Sequence, residues 1–186
     1  ATGKLNRFNA GVDGKLGITN NMIIDFTLNP DFGQVEADPS QVNLSAFEIF
    51  FEEKRPFFIE GKNILNSPLN FFDGDDMASE NLFYSRRIGR NPQYDPELQE
   101  NEYADMPTST SILGAAKLTG KTKNGLSIGI LESVTASEKA EIDQEGERRF
   151  ETVDPLTNYS LARIQKDFNK GNTILGGVFT TTNRIT

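Results

Sequence analysis

Apolar and polar positions alternate with a period of two in several parts of the chain. In 22–29, Met22, Ile24, Phe26 and Leu28 share one side, while Asp25, Thr27 and Asn29 share the other with Ile23. That alternation predicts a strand over about 15–29. In 112–120, Ile112, Gly114, Ala116, Leu118 and Gly120 oppose Leu113, Ala115, Lys117 and Thr119. In 126–134, Leu126, Ile128, Ile130 and Val134 oppose Ser127, Gly129, Leu131 and Ser133. Asn124-Gly125 lies between these two runs, and Asn-Gly is a strong two-residue hairpin signal. A second pair, 158–168 and 173–183, is joined by Asn169-Lys170-Gly171-Asn172. The arms of both hairpins are about ten residues long. Soluble strands usually run to about 5–6, whereas a tilted strand needs about 9–11 to cross a bilayer.

Between these regions the pattern changes. Seven prolines, Pro30, Pro39, Pro56, Pro68, Pro92, Pro96 and Pro107, punctuate 30–110. Ser45-Ala46-Phe47-Glu48 fits a capping box and predicts a short helix over 45–53. A second helix is expected after Pro56, through Phe57–Leu65, and 92–108 reads as an exposed polar loop. Some 80 residues of this kind exceed ordinary loop length, so the segment is expected to be functional or a folded insert. The division that follows is 1–29 as the first wall strand or strands, 30–110 as a plug-like insert with short helices, and 111–186 as further wall hairpins.

Composition narrows the function. The 186 residues carry 27 Asp+Glu against 19 Lys+Arg, a net charge of −8, with no Cys, His or Trp. An acidic chain is a poor partner for phosphate backbones, which speaks against nucleic acid. Without Cys there is no disulfide or thiolate chemistry, and without His there is no imidazole base. No apolar run reaches the roughly 18 residues of a membrane helix, a criterion blind to alternating barrel strands. The chain starts Ala1-Thr2-Gly3, without an initiator Met or a signal-peptide pattern. It reads as a mature form, an excised piece or a section of a longer chain.

Three segments carry a family resemblance: NPDFGQVEAD (29–38), NLSAFEIFFEEKRPFFIEG (43–61) and LFYSRRIGR (82–90). They resemble outer-membrane proteins of Bacteroidota of unknown function, which are similar to an N-terminal carbohydrate-binding family 9-like domain followed by a long β-barrel region. This chain would be the first part of that barrel region. The resemblance implies a mainly β fold of antiparallel hairpins, forming part of a transmembrane β-barrel in the outer membrane of a Gram-negative bacterium. The partners implied are outer-membrane lipid, the rest of the barrel or other outer-membrane proteins, and saccharide. Transport, glycan handling or assembly would be the task, without catalytic residues. A membrane-associated glycan hydrolase and a soluble saccharide-binding β-sandwich are the competing expectations.

The candidate lining is a charged set, Glu36, Asp38, Glu48 and Glu60 with Lys54, Arg55, Arg86 and Arg87. Two carboxylates at a suitable separation suffice for glycoside hydrolysis. Paired with arginines instead, the same groups would hold an insert against a barrel wall, and that is the favoured expectation. Arg86, Arg87 and Arg90 present forked donors suited to a phosphate or a sugar acid. Asp73, Asp75 and Asp76 offer oxygens to Ca²⁺ but lack EF-hand spacing, so an acidic turn is the expected reading. No other cofactor is expected. On the wall, Leu126, Ile128, Ile130 and Val178 are expected to share the lipid-facing side.

Overall fold

Nine strands and little helix make up the described part of the chain. The structure is a computed structural model and describes residues 10–30, 51–67, 82–144 and 146–185. Strands β1 (Val12–Thr19), β2 (Met22–Leu28), β4 (Ile112–Lys121), β5 (Leu126–Thr135), β8 (Leu156–Phe168) and β9 (Thr173–Ile185) form one sheet in the order β1-β2-β4-β5-β8-β9. Every neighbouring pair is antiparallel. A second, three-stranded sheet pairs β3 (Tyr103–Asp105), β6 (Glu138–Gln144) and β7 (Glu147–Asp154). The fold is therefore mainly β and antiparallel. The six-stranded sheet is open, with β1 and β9 at its edges.

Its turns divide by length. The β1–β2, β4–β5 and β8–β9 turns are tight and sit at one end of the sheet. At Gly125 (φ 77°) the second turn uses the left-handed backbone that Asn-Gly supplies. The connections from β2 to β4 and from β5 to β8 are long and leave from the other end. One carries the insert and the other carries β6 and β7.

Cross-strand register assigns the two faces. One face runs Lys15–Asp25–Lys117–Leu131–Leu161 across five strands, with Gly17–Ile23–Thr119–Gly129–Arg163–Val178 as a neighbouring row. The opposite face runs Leu16–Ile24–Leu118–Ile130–Ala162–Phe179. The first face is the covered one. Lys117, Thr27, Ser133, Thr135 and Thr157 are buried there, whereas Leu16, Phe26, Leu28, Ile130, Ile164 and Phe179 are exposed on the other. The usual distribution of a soluble domain, apolar inside and polar outside, is inverted in this sheet.

The cover on the polar face is the insert. Helix α1 (Pro56–Ile59) starts at a proline, whose missing N–H costs nothing at that position. Helix α2 (Lys62–Leu65) follows after Gly61, which has φ +70°. The single helix expected through Phe57–Leu65 is thus two short ones, because the left-handed Gly61 breaks the helical path. A small apolar cluster of Phe58, Leu65, Ile88, Ile112, Leu131, Tyr159 and Leu161 lies between insert and sheet, with Phe57, Phe83 and Val178 packed against it.

Several expectations need correction. The predicted strand over 15–29 is a tight hairpin, turning at Asn20-Asn21. Val178 does not share the side of Ile128 and Ile130. It pairs with Arg163 and faces the insert. The loop expected over 92–108 contains β3, which gains order by pairing with β6. The helix expected over 45–53 lies mostly outside the described residues, and 51–53 is not helical.

Candidate functional site

The insert meets the polar face through two charged nodes. The first is centred on Arg55, held extended because Pro56 follows it. Its guanidinium donates to both Glu53 carboxylate oxygens (2.8 and 2.7 Å), to the Ile88 carbonyl (2.6 Å) and to the Ser85 carbonyl (2.9 Å). It also stacks 4.3 Å from the centre of the Phe58 ring. Glu53 accepts in addition from Ser85 Oγ (2.6 Å) and from the Arg55 backbone N–H (3.0 Å). Both side chains are buried, so this bidentate pair is shielded from competing water.

Burial pushes the Glu53 carboxyl up, but the Arg55 hydrogen bonds and charge, with the Ser85 hydroxyl, outweigh it and hold the group below the usual glutamate range. A depressed carboxylate contributes stability above its unfolded value, near pH 4.3, and loses it as pH falls through the folded value. Glu53→Gln is therefore expected to cost about 2–3 kcal/mol at pH 7. Urea midpoints of the two proteins should begin to converge as pH falls below the unfolded value, about 4.3, and meet once it passes the depressed folded value. A gap that stays constant across pH would assign the loss to packing rather than to charge.

The second node joins three strands to the insert. Lys117 is fully buried and donates to the carbonyls of Phe57 and Glu60, the latter at 2.7 Å. Its ammonium lies 3.5 Å from Asp25 Oδ2 and 4.7 Å from the Phe57 ring centre. Lys15 bridges the two carboxylates of the node, donating to Glu60 and standing 3.5 Å from Asp25 Oδ1. The Lys15 hydrogen bond holds the Glu60 carboxyl below its ordinary range against a smaller upward push from burial. Lys15, Asp25, Glu60, Thr119 and Lys121 line a cavity of about 480 Å³ between β1, β2, β4 and the start of α2. Two nearby carboxylates in a cavity invite comparison with glycoside hydrolysis. That chemistry needs one carboxyl protonated and the other ionised; the Lys15 hydrogen bond favours the ionised form of Glu60.

Other contacts tie the insert down. Arg86 donates to the Glu52 carbonyl (2.9 Å), Arg163 to the Ile64 carbonyl (2.7 Å), and Tyr159 to the Arg87 carbonyl (3.3 Å). Tyr84 Oη accepts from the Phe51 N–H at 2.7 Å. The Arg87 guanidinium lies 6.0 Å from the Tyr84 ring centre. Of the residues singled out from sequence, Lys54, Arg55, Glu60, Arg86, Arg87 and Arg90 are described. The structure puts Arg55 and Glu60 in different nodes. Glu36, Asp38, Glu48, Asp73, Asp75 and Asp76 lie outside the described residues. Among the described residues, no group of three or more acidic side chains is arranged to hold a metal.

Sequence reasoning did not single out Asp25, Lys117, Lys15 or Glu53. A signal was present for two of them. Asp25 and Lys117 are each the lone charge inside an alternating run, at the polar parity. Their pairing across β2 and β4 joins positions 92 residues apart, which no local pattern reveals.

A family model described as a domain of unknown function, DUF5916, matches residues 2–184. No curated protein and no solved structure matches the chain.

Proposed function

The chain belongs to the DUF5916 family, and within it we propose that this chain is a section of an outer-membrane β-barrel whose insert packs on the lumenal side of the wall. The observation that carries this reading is the inverted polarity of the six-stranded sheet. Water would penalise a face of exposed Leu16, Phe26, Ile130, Ile164 and Phe179; lipid requires one. The dimensions agree. Ten residues in β4 and β5 reach about 33 Å and, tilted by about 40°, cover the roughly 25 Å apolar band of such barrels.

The outward face is not apolar along the full length of every strand. On β1 and β2 the outward positions stay apolar to Val12 and Leu28 at the insert end. On β8 and β9 the outward positions nearer that end are polar at Asn158, Ser160, Thr181 and Asn183, between Ala162–Phe179 on one side and the apolar pair Leu156–Ile185 at the strand ends. Six strands fall short of the roughly eight that close a barrel, so β1 and β9 would pair with further strands. Short turns face the periplasm in bacterial barrels and long connections the exterior. On that rule the three-stranded sheet lies at the cell surface.

The role we assign is non-enzymatic, in transport, glycan handling or assembly at the outer membrane. It is supported by the pairing of Glu53 and Glu60 with basic partners. The similarity to Bacteroidota barrels with a carbohydrate-binding family 9-like domain favours a glycan connection. Among the described residues no helix is long and apolar enough to cross a membrane, so any crossing falls to strands.

The test uses single cysteines, since this chain has none of its own. A fluorophore on Phe179→Cys should be quenched by a lipid-borne nitroxide in vesicles and shielded from aqueous iodide. The same fluorophore on Tyr103→Cys, 77% exposed on β3, should behave in the opposite way. Equal iodide quenching at both positions would sink the proposal.

A further inference from the structure

We infer, resting on the barrel reading, that the tight-turn end of the sheet docks on anionic phospholipid headgroups. The β4–β5 and β8–β9 turns lie side by side. The Asp167 N–H donates to the Gly125 carbonyl (3.0 Å), and the Lys166 ammonium donates to the Asn124 carbonyl. The two turns thereby gather Lys121, Lys123, Lys166 and Lys170 in one place. Asp167 is the lone acidic residue in 119–126 and 165–173, and it is ion-paired with Lys121. Among the described residues, Lys123, Lys166 and Lys170 have no ion-pair partner. Lys123 and Lys170 are exposed.

Sign and position together select the partner. Turn geometry by itself asks for Gly, Asn and Asp, not for lysine. The chain as a whole has a net charge of −8, and at the opposite end 92–108 and 136–155 hold 12 Asp+Glu against 3 Lys+Arg. Positive charge is thus concentrated at one end of a negative molecule. Lys166 ties that end to the apolar wall. It follows Ala162 and Ile164 along the outward side of β8, with Leu126 and Leu175 as its register neighbours. Its stem starts between those leucines, and its ammonium reaches the Asn124 carbonyl in the turn. A lysine at a membrane boundary sits this way, with its stem against apolar surface and its charge at the headgroups. Phe168, 44% exposed on the same side with its ring centre 6.0 Å from that ammonium, supplies the aromatic of an interface girdle. Lysines held at that level attract lipid phosphates.

The test uses the full-length chain folded into phosphatidylcholine vesicles, with a fluorophore on Asn172→Cys in the β8–β9 turn. A minor fraction of phosphatidylglycerol, or in a parallel sample of phosphatidylcholine, carries the same nitroxide near the top of its acyl chain. A lysine close to an anionic surface is worth about a fivefold enrichment. Relative association at this probe should therefore favour phosphatidylglycerol by about fivefold or more at low salt. The preference should fall close to unity at about 1 M salt, where the screening length is about 3 Å. Lys123→Gln combined with Lys170→Gln, both in exposed turns, should cut it by about threefold or more. The same fluorophore on Tyr103→Cys should report no preference. A probe on Phe179→Cys separates headgroup docking from the wall reading. If nitroxide lipid quenches it while the turn associates equally with both lipids, the wall reading stands and headgroup docking is overturned. If Phe179→Cys escapes quenching, both fall. A preference that persists at about 1 M salt, survives loss of the two lysines or appears equally at Tyr103→Cys would also overturn headgroup docking.

Discussion

Ile130→Arg is expected to cost about 2–4 kcal/mol of folding stability in a bilayer, against about 0.5 kcal/mol for an ordinary exposed site in water. Ile130 is 40% exposed on the outward face of β5, flanked in register by Leu118 and Ala162. It sits near the middle of β5 (Leu126–Thr135). Nothing on that face offers a guanidinium a carboxylate until Glu132, two residues on. Glu132 already accepts from Ser160 Oγ (2.7 Å) and Asn158 Nδ2 (3.2 Å). Thr181→Arg, in the polar patch formed with Asn158, Ser160 and Asn183 on the same face, is the control and should cost about 0–1 kcal/mol. Urea titrations of refolding into phosphatidylcholine vesicles would compare the two. The depth dependence matters more than either value. Equal costs at both sites would mean that no slab of lipid distinguishes them, and the wall reading would be lost.

Lys117→Met should be the most damaging single change on the opposite face, at about 3–5 kcal/mol. Methionine keeps the length of the side chain and removes its charge and three donors. The carbonyls of Phe57 and Glu60 would lose their donor, and Asp25, only 7% exposed, would keep Lys15 alone at 3.5 Å. Most of the loss comes from stranding a buried carboxylate, so it should be partly recoverable. The double variant Lys117→Met with Asp25→Leu is expected to regain about half or more of the deficit, because no charge is then left unpaired. Chemical denaturation of the parent, both single variants and the double variant completes the cycle. A single variant within about 1 kcal/mol of the parent would show that water reaches this node after all.

How legible the fold was from sequence depended on range. The β4–β5 and β8–β9 hairpins were readable because alternation and turn chemistry are encoded within about 25 residues. The β1–β2 turn was not, since Asn20-Asn21 lacks the glycine that marks the other two turns. Strands β6 and β7, which carry Glu138, Glu141, Glu147, Arg148 and Arg149, were not among the runs singled out by their alternation. They stand because Arg148 pairs with Glu141 across the strands and because Ala140, Ile142 and Val153 bury a small core. Val178 was placed on the wrong side because β9 has apolar residues at both parities, Ile174 and Val178 against Leu175 and Phe179. Only pairing with β8 decides between them.

The candidate site divides along the same line. The charged, phenylalanine-rich segment around Arg55 was visible as an unusual mixture, and the sequence allowed either a catalytic or a structural use for it. In the structure Arg55 is paired within its own turn, and Glu60 reaches Lys15 on β1. Sequence alone determined the amphipathic strands, their turns and the absence of thiol and imidazole chemistry, because all of these reside in single residues or short windows. Only the tertiary structure decided which strand face is covered, that Asp25 meets Lys117, and that Lys15 bridges Asp25 and Glu60. Those facts depend on register across the long insert between β2 and β4, and an alternating pattern is the same read from either side.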